Sequence, residues 1–169
     1  MPRTALATKA APGPLTPAGL PNWALPASLG LGVLGLGLSI YLTIEHYTSN
    51  TSLACPATST VNCQRVTTSA ESVVLGIPVA VLGLVFFVAM IGLCLPQVWS
   101  MPDPRLWRIR LAVAGVGLLF AVYLIFVEIF LVNAICLWCT FVHVVAFALF
   151  AVVAMTTALA DPNPFDPKR

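Results

Sequence analysis

Charge is the scarcest property of this sequence. Only 8% of its residues are charged, against 59% hydrophobic ones. Soluble domains carry about a quarter charged residues. A chain this poor in charge cannot cover a water-facing surface, and a mean hydropathy of +0.97 agrees. The basic residues are few and scattered, so no stripe exists that could track phosphates, and nucleic acid is excluded as a partner. No haem or flavin motif is present either. What the chain does have is long apolar runs and five cysteines, which in a small membrane protein require a chemical explanation.

At 169 residues the chain has the length of one domain. Residues 1–23, rich in Pro, Ala and Gly, read as a flexible tail. The first apolar run that follows is too long for a signal-peptide core. Four apolar runs are expected to form helices: Ala24–Ile44, Ile77–Leu95, Ile109–Leu131 and Ile135–Ala160. Each is near the ~20 residues needed to cross ~30 Å of hydrocarbon, and lipid leaves open backbone groups no water to bond. The fold expected is therefore all-α and integral to the membrane, a four-transmembrane-helix bundle over residues 24–160. Glycines such as Gly32, Gly35, Gly115 and Gly117 permit close helix packing, although glycine is also ordinary in membrane helices. A long polar loop of about residues 47–76 joins runs one and two, and residues 161–169 form a second polar tail.

Orientation follows from the positive charges. Arg3, Lys9, Arg105, Arg108, Arg110, Lys168 and Arg169 fall on one side of a four-span chain, and Arg65 alone falls on the other. The richer side is expected to be cytoplasmic, with both termini there. The long loop and the start of the fourth helix then face outward.

That topology brings four cysteines to one face. Cys55 and Cys63 lie in the outer loop, and Cys136 and Cys139 lie in the first turns of helix four, within "AICLWCTFVH". Outside the cytoplasm thiols tend to become disulfides. Residues i and i+3 share a helix face, so Cys136 and Cys139 can meet, and His143 continues that stripe one turn deeper. A Cys-x-x-Cys closes too small a loop to stabilise much, which favours redox cycling over stapling. Inert disulfides, and a zinc site built from the four thiols and His143, are the competing readings. Cys94, alone in run two, reads as a small buried hydrophobe. Electrons taken from outer thiols need an acceptor, and a membrane-dissolved quinone held between helices fits the chemistry. His143 would hydrogen-bond a quinone oxygen or pass a proton, since an ionisable residue inside a membrane is by default a functional hypothesis; otherwise it is a satisfied interior histidine. Glu128, about one turn before the outer end of helix three, either touches the pocket or reaches toward the interface, and the second is the reading preferred; Glu45 and His46 are expected to cap helix one at the outer surface.

The Cys-x7-Cys of the loop, "LGIPVAVLG" opening helix two and "YLIFVEIFLVNAICLWC" leading into helix four together resemble the vitamin K epoxide reductase family over about residues 28–158. More narrowly they resemble its bacterial members that make disulfides. The resemblance implies a relay. A DsbA-like thioredoxin-fold protein gives its electrons to Cys55. Cys63 exchanges with Cys136, and Cys139 faces and reduces the quinone, menaquinone or ubiquinone. Ser69 matches a family serine near the quinone pocket. Two positions depart from the pattern. Many relatives have an asparagine where this chain has Val79, and the animal enzymes have a tyrosine where it has His143.

The function expected is that of a membrane thiol:quinone oxidoreductase in a bacterial cell membrane, reoxidising its partner and so supporting disulfide formation. The chain runs out soon after helix four, so the partner is expected to be a separate protein rather than a fused domain. Use of the same site mainly to reduce a quinone or quinone epoxide is the first alternative. A non-enzymatic membrane protein with structural disulfides is the second.

Overall fold

The computed structural model describes residues 20–48, 54, 55, 58, 60–101 and 103–160. The tails expected at residues 1–23 and 161–169 lie almost wholly outside the described residues. What it describes is a bundle of apolar helices carrying a folded cap. Helix α1 spans Ala24–Tyr47. The cap comprises the short helix α2, Cys63–Thr67, a 3-10 turn at Ala70–Ser72 and a hairpin of β1, Val73–Val74, with β2, Ile77–Pro78. Then come α3, Val79–Cys94, a single turn α4, Pro96–Trp99, and α5, Pro104–Phe126, which runs on through a π-helical segment Val127–Val132. The last helix, α6, spans Leu137–Ala160.

Three of these helices are long and apolar enough to cross a membrane; α3 is apolar but shorter. All four expected runs are helical, with shifted ends. The second run is trimmed because Ile77 and Pro78 pair in the hairpin and Pro96 opens a separate turn. Sixteen residues remain, which give about 24 Å at ~1.5 Å per residue. Helix α5 begins five residues earlier than expected, at Pro104, where Asp103 caps it by accepting the Arg105 amide proton at 2.8 Å.

Helix α1 packs against α3 and α6, and α5 packs against α6. Phe87, Met90, Leu149 and Val153 form the centre of the core. Glycine decides two of the contacts. A β-carbon at Gly35 would overlap the Phe87 ring, and one at Gly117 would overlap the Phe86 ring. Both aromatics enter the bundle because the facing helix has no side chain there.

One basic residue is not where the charge count left it. Arg110 is buried within α5 rather than lying in a loop, and its guanidinium donates through Nε and Nη2 to the Leu93 carbonyl at 3.2 and 2.8 Å. Trp99 and Trp107 flank it, with their ring centroids 4.4 and 4.5 Å from the guanidinium carbon. It therefore secures the end of α3, where Pro96 interrupts the helix. Cys94 is fully buried beside it, as a small core residue should be.

Candidate functional site

The outer loop is held to the bundle by backbone pairing. Val61 bridges Ile135 in parallel, the Ile135 amide donates to the Thr60 carbonyl at 2.9 Å, and the Asn62 amide donates to the Ile135 carbonyl at 3.1 Å. Each paired segment runs straight into a cysteine. Asn62 then caps α2 by accepting the Arg65 amide proton at 2.9 Å, which makes Cys63 the first residue of that helix. Farther along, the Trp138 indole donates to the Ala54 carbonyl at 3.0 Å and the Ala54 amide donates to the Tyr41 hydroxyl at 3.3 Å. The residue before Cys55 is thus clamped between α1 and α6. Cys55 and Cys63 are joined as a disulfide, with Cys63 buried and Cys55 half-buried.

Cys136 lies one residue ahead of α6 rather than in its first turn. Its sulfur accepts the Cys139 amide proton at 3.2 Å, so it caps the helix in the way a serine hydroxyl would. The Cys139 thiol also donates to that sulfur, with the two Sγ atoms 2.7 Å apart. Cys136 is fully buried, and Cys139 is half-buried and opens onto a cavity.

That cavity, of about 320 Å³, lies between the helices beneath the cap. It is of the size that holds a small organic ligand. Its walls are apolar, from residues such as Leu42, Phe86, Phe120 and Val142, with few polar groups. Ser69, Val79 and His143 all line it, as does Cys139. The Ser69 hydroxyl donates to the Val66 carbonyl at 2.9 Å and keeps lone pairs to offer. His143 is buried, and its Nδ1 has no hydrogen-bond partner. A buried polar atom without a partner is costly. The imidazole lines the apolar cavity, although Nδ1 itself presents no accessible surface to it.

Three further polar residues are not where sequence reasoning put them. Glu45 is buried at the end of α1. His46 lines the cavity and its Nδ1 lies 3.3 Å from the Thr67 carbonyl, tying α1 to α2. Glu128 does not reach toward the interface. It is only 6% exposed, lines the cavity, and accepts the Cys136 amide proton on Oε2 at 3.4 Å. The π-helical segment turns it inward, and Asn133, in a left-handed conformation, ends that segment (φ 54°). Its signal was an acid inside an apolar run, the same signal that marked His143.

Among the described residues no group of three or more His, Cys, Asp or Glu could hold a metal ion. Residues 26–154 match the family model described as the vitamin K epoxide reductase family. No curated protein matches the chain.

Proposed function

The chain belongs to the vitamin K epoxide reductase family and is a membrane redox enzyme; we propose that it oxidises a separate DsbA-like thioredoxin-fold protein outside the cytoplasm and passes the electrons to membrane quinone. One observation carries this reading. The two sulfurs of the inner pair touch, yet one lies under the segment that leads to Cys63 and the other opens onto an apolar cavity.

The chemistry is disulfide exchange. A thiolate of the partner attacks Cys55, and Cys63 leaves as a thiolate; the partner's second thiolate then attacks its own sulfur in the mixed disulfide, which oxidises the partner and frees Cys55. Cys63 attacks Cys136, and Cys139 leaves. Return of Cys55 onto Cys63 frees Cys136, so the outer disulfide is restored and the inner pair becomes a dithiol. Clamping of Ala54 by Tyr41 and Trp138 holds Cys55 at the rim. Burial of Cys63 and Cys136 keeps stray thiols from the middle step.

Quinone, when bound, supplies an acceptor for two electrons and two protons. His143 would orient it by a hydrogen bond from its imidazole to a ring oxygen, Ser69 would offer a second polar contact, and Val79 would pack against the ring. Phe86 and Phe120 keep water from the site. The orientation that accompanies the relay puts both termini in the cytoplasm and the cap outside, in a bacterial cell membrane.

Reconstitution with a reduced DsbA-like protein and quinone tests the proposal by quinone absorbance. Wild type should turn over. Cys139→Ala should stop quinone reduction while the Cys55–Cys63 disulfide still exchanges with the partner. Quinone turnover retained in that variant would reject the order assigned to the cysteines.

A further inference from the structure

We infer that Glu128 is a catalytic residue of the inner pair: its carboxylate takes the proton that leaves Cys139 when the Cys136–Cys139 disulfide forms, and delivers it into the cavity. This rests on the reading that Cys139 passes electrons to quinone.

Position argues for it first. The carboxyl group is buried, lies on the wall of the same cavity as Cys139, and accepts the amide proton of Cys136, whose sulfur touches that of Cys139. A carboxylate accepts only, so it stands beside the pair as a proton acceptor. The backbone argues second. The π-helical segment that turns Glu128 inward carries a further constraint, since the Ala134 amide donates to the Glu128 carbonyl at 3.1 Å. Such segments recur at functional sites in helices. Polarity argues third. A carboxyl group inside a membrane bundle costs free energy unless partnered, and a neutral amide would anchor Cys136 at lower cost.

The proton balance requires a carrier here. Disulfide formation breaks two S–H bonds, forms one S–S bond, and releases two electrons and two protons. Electrons and protons together convert quinone to hydroquinone. Cys136 is sealed from solvent, and Cys139 opens to the cavity. Both protons leave in succession through the carboxyl group that touches the pair. With the dithiol present, the Cys139 proton points at the Cys136 sulfur and Glu128 holds the Cys136 N–H. Once the disulfide forms, the S–H is gone and the buried carboxyl keeps the proton until the cavity accepts it. The other titratable groups on the cavity wall are His46 from α1, Glu71 from the 3-10 turn and His143 from α6; Glu45 is buried nearby on α1.

Glu128→Gln separates anchoring from proton transfer. A glutamine oxygen still accepts the Cys136 amide proton, so a purely structural role survives, whereas proton acceptance does not. Pre-reduced, purified protein is mixed with saturating menadione, and a single turnover is followed. Oxidation should slow by about 100-fold or more, the range for loss of a positioned base, with Asp103→Asn, at the exposed start of α5, near wild type. A second measurement uses quinone-free protein and diamide as oxidant, recording the infrared difference between disulfide and dithiol. A carboxylic acid band should appear on oxidation, vanish in Glu128→Gln and persist in Asp103→Asn. A wild-type rate in Glu128→Gln overturns the assignment, as does a band that is absent or survives that substitution. If menadione fails to oxidise even the wild-type dithiol, the functional reading fails, and the infrared measurement alone decides the role of Glu128.

Discussion

Replacing His143 with leucine should move stability and quinone affinity in opposite directions. The imidazole is 5% exposed, and its Nδ1 has no partner among protein groups. Burying a polar atom without a hydrogen bond costs about 1–3 kcal/mol. Leucine fills a similar volume without that atom, so the quinone-free protein should gain up to about that amount of stability. The same change removes the donor for a quinone oxygen and leaves that oxygen unpaired in an apolar wall. A loss of about 1–3 kcal/mol is a ~5- to 150-fold weaker dissociation constant. Unfolding in mixed micelles, with and without quinone, reads the first effect. Quenching of tryptophan fluorescence during a quinone titration reads the second, and Trp138 lies one residue from Cys139 on the cavity wall. A leucine variant that is less stable without quinone and binds it normally would refute the reasoning, because His143 would then be an ordinary, satisfied interior residue.

Two other perturbations test separate links. Cys63→Ala removes the neighbour that resolves attack on Cys55, so a mixed disulfide between Cys55 and the thioredoxin-fold partner should accumulate on non-reducing gels; an unreactive Cys55 with no adduct counts against the relay. Gly117→Leu must displace the Phe86 ring, which lines the cavity; overpacking of this kind costs about 1–3 kcal/mol. Quinone affinity should fall in that variant while exchange at Cys55–Cys63 continues, and an unchanged affinity would mean that the ring moves away from the ligand.

The helices were legible because a run of about twenty apolar residues needs little tertiary information to be read as a span. Their ends were less so. Pro78 and Pro96 each stop α3 short of the apolar run that contains it, and hydropathy does not weigh proline's missing donor. The cap was read only as a polar loop, although local signals for its elements were present. Asn62 is a helix cap. Leu75 and Gly76, both at positive φ, form the two-residue turn of the hairpin. Leucine is a poor residue for such a turn, which hid it. The cysteine pairs were visible by spacing, but what joins them was not: the bridge from Val61 to Ile135 is a tertiary contact between two segments without strand character of their own.

The misreading of Glu128, Glu45 and His46 has one physical source. Residues near the outer ends of helices were assigned to the interface by depth along the sequence, as if the helix ends met water. The cap changes that. With α2 and the 3-10 turn folded over the bundle, one face of the ends of α1 and α5 is covered: His46 and Glu128 line the cavity and Glu45 is buried. The same cover gives the Cys-x-x-Cys its two environments. Cys136, just ahead of α6, meets the loop backbone from above, and Cys139, within the first turn, meets the cavity from the side. A pair lying wholly within the helix would present both sulfurs to one environment. In the proposed relay, starting α6 between the two cysteines would let a single sulfur contact separate a proteinaceous partner from a lipid-soluble one.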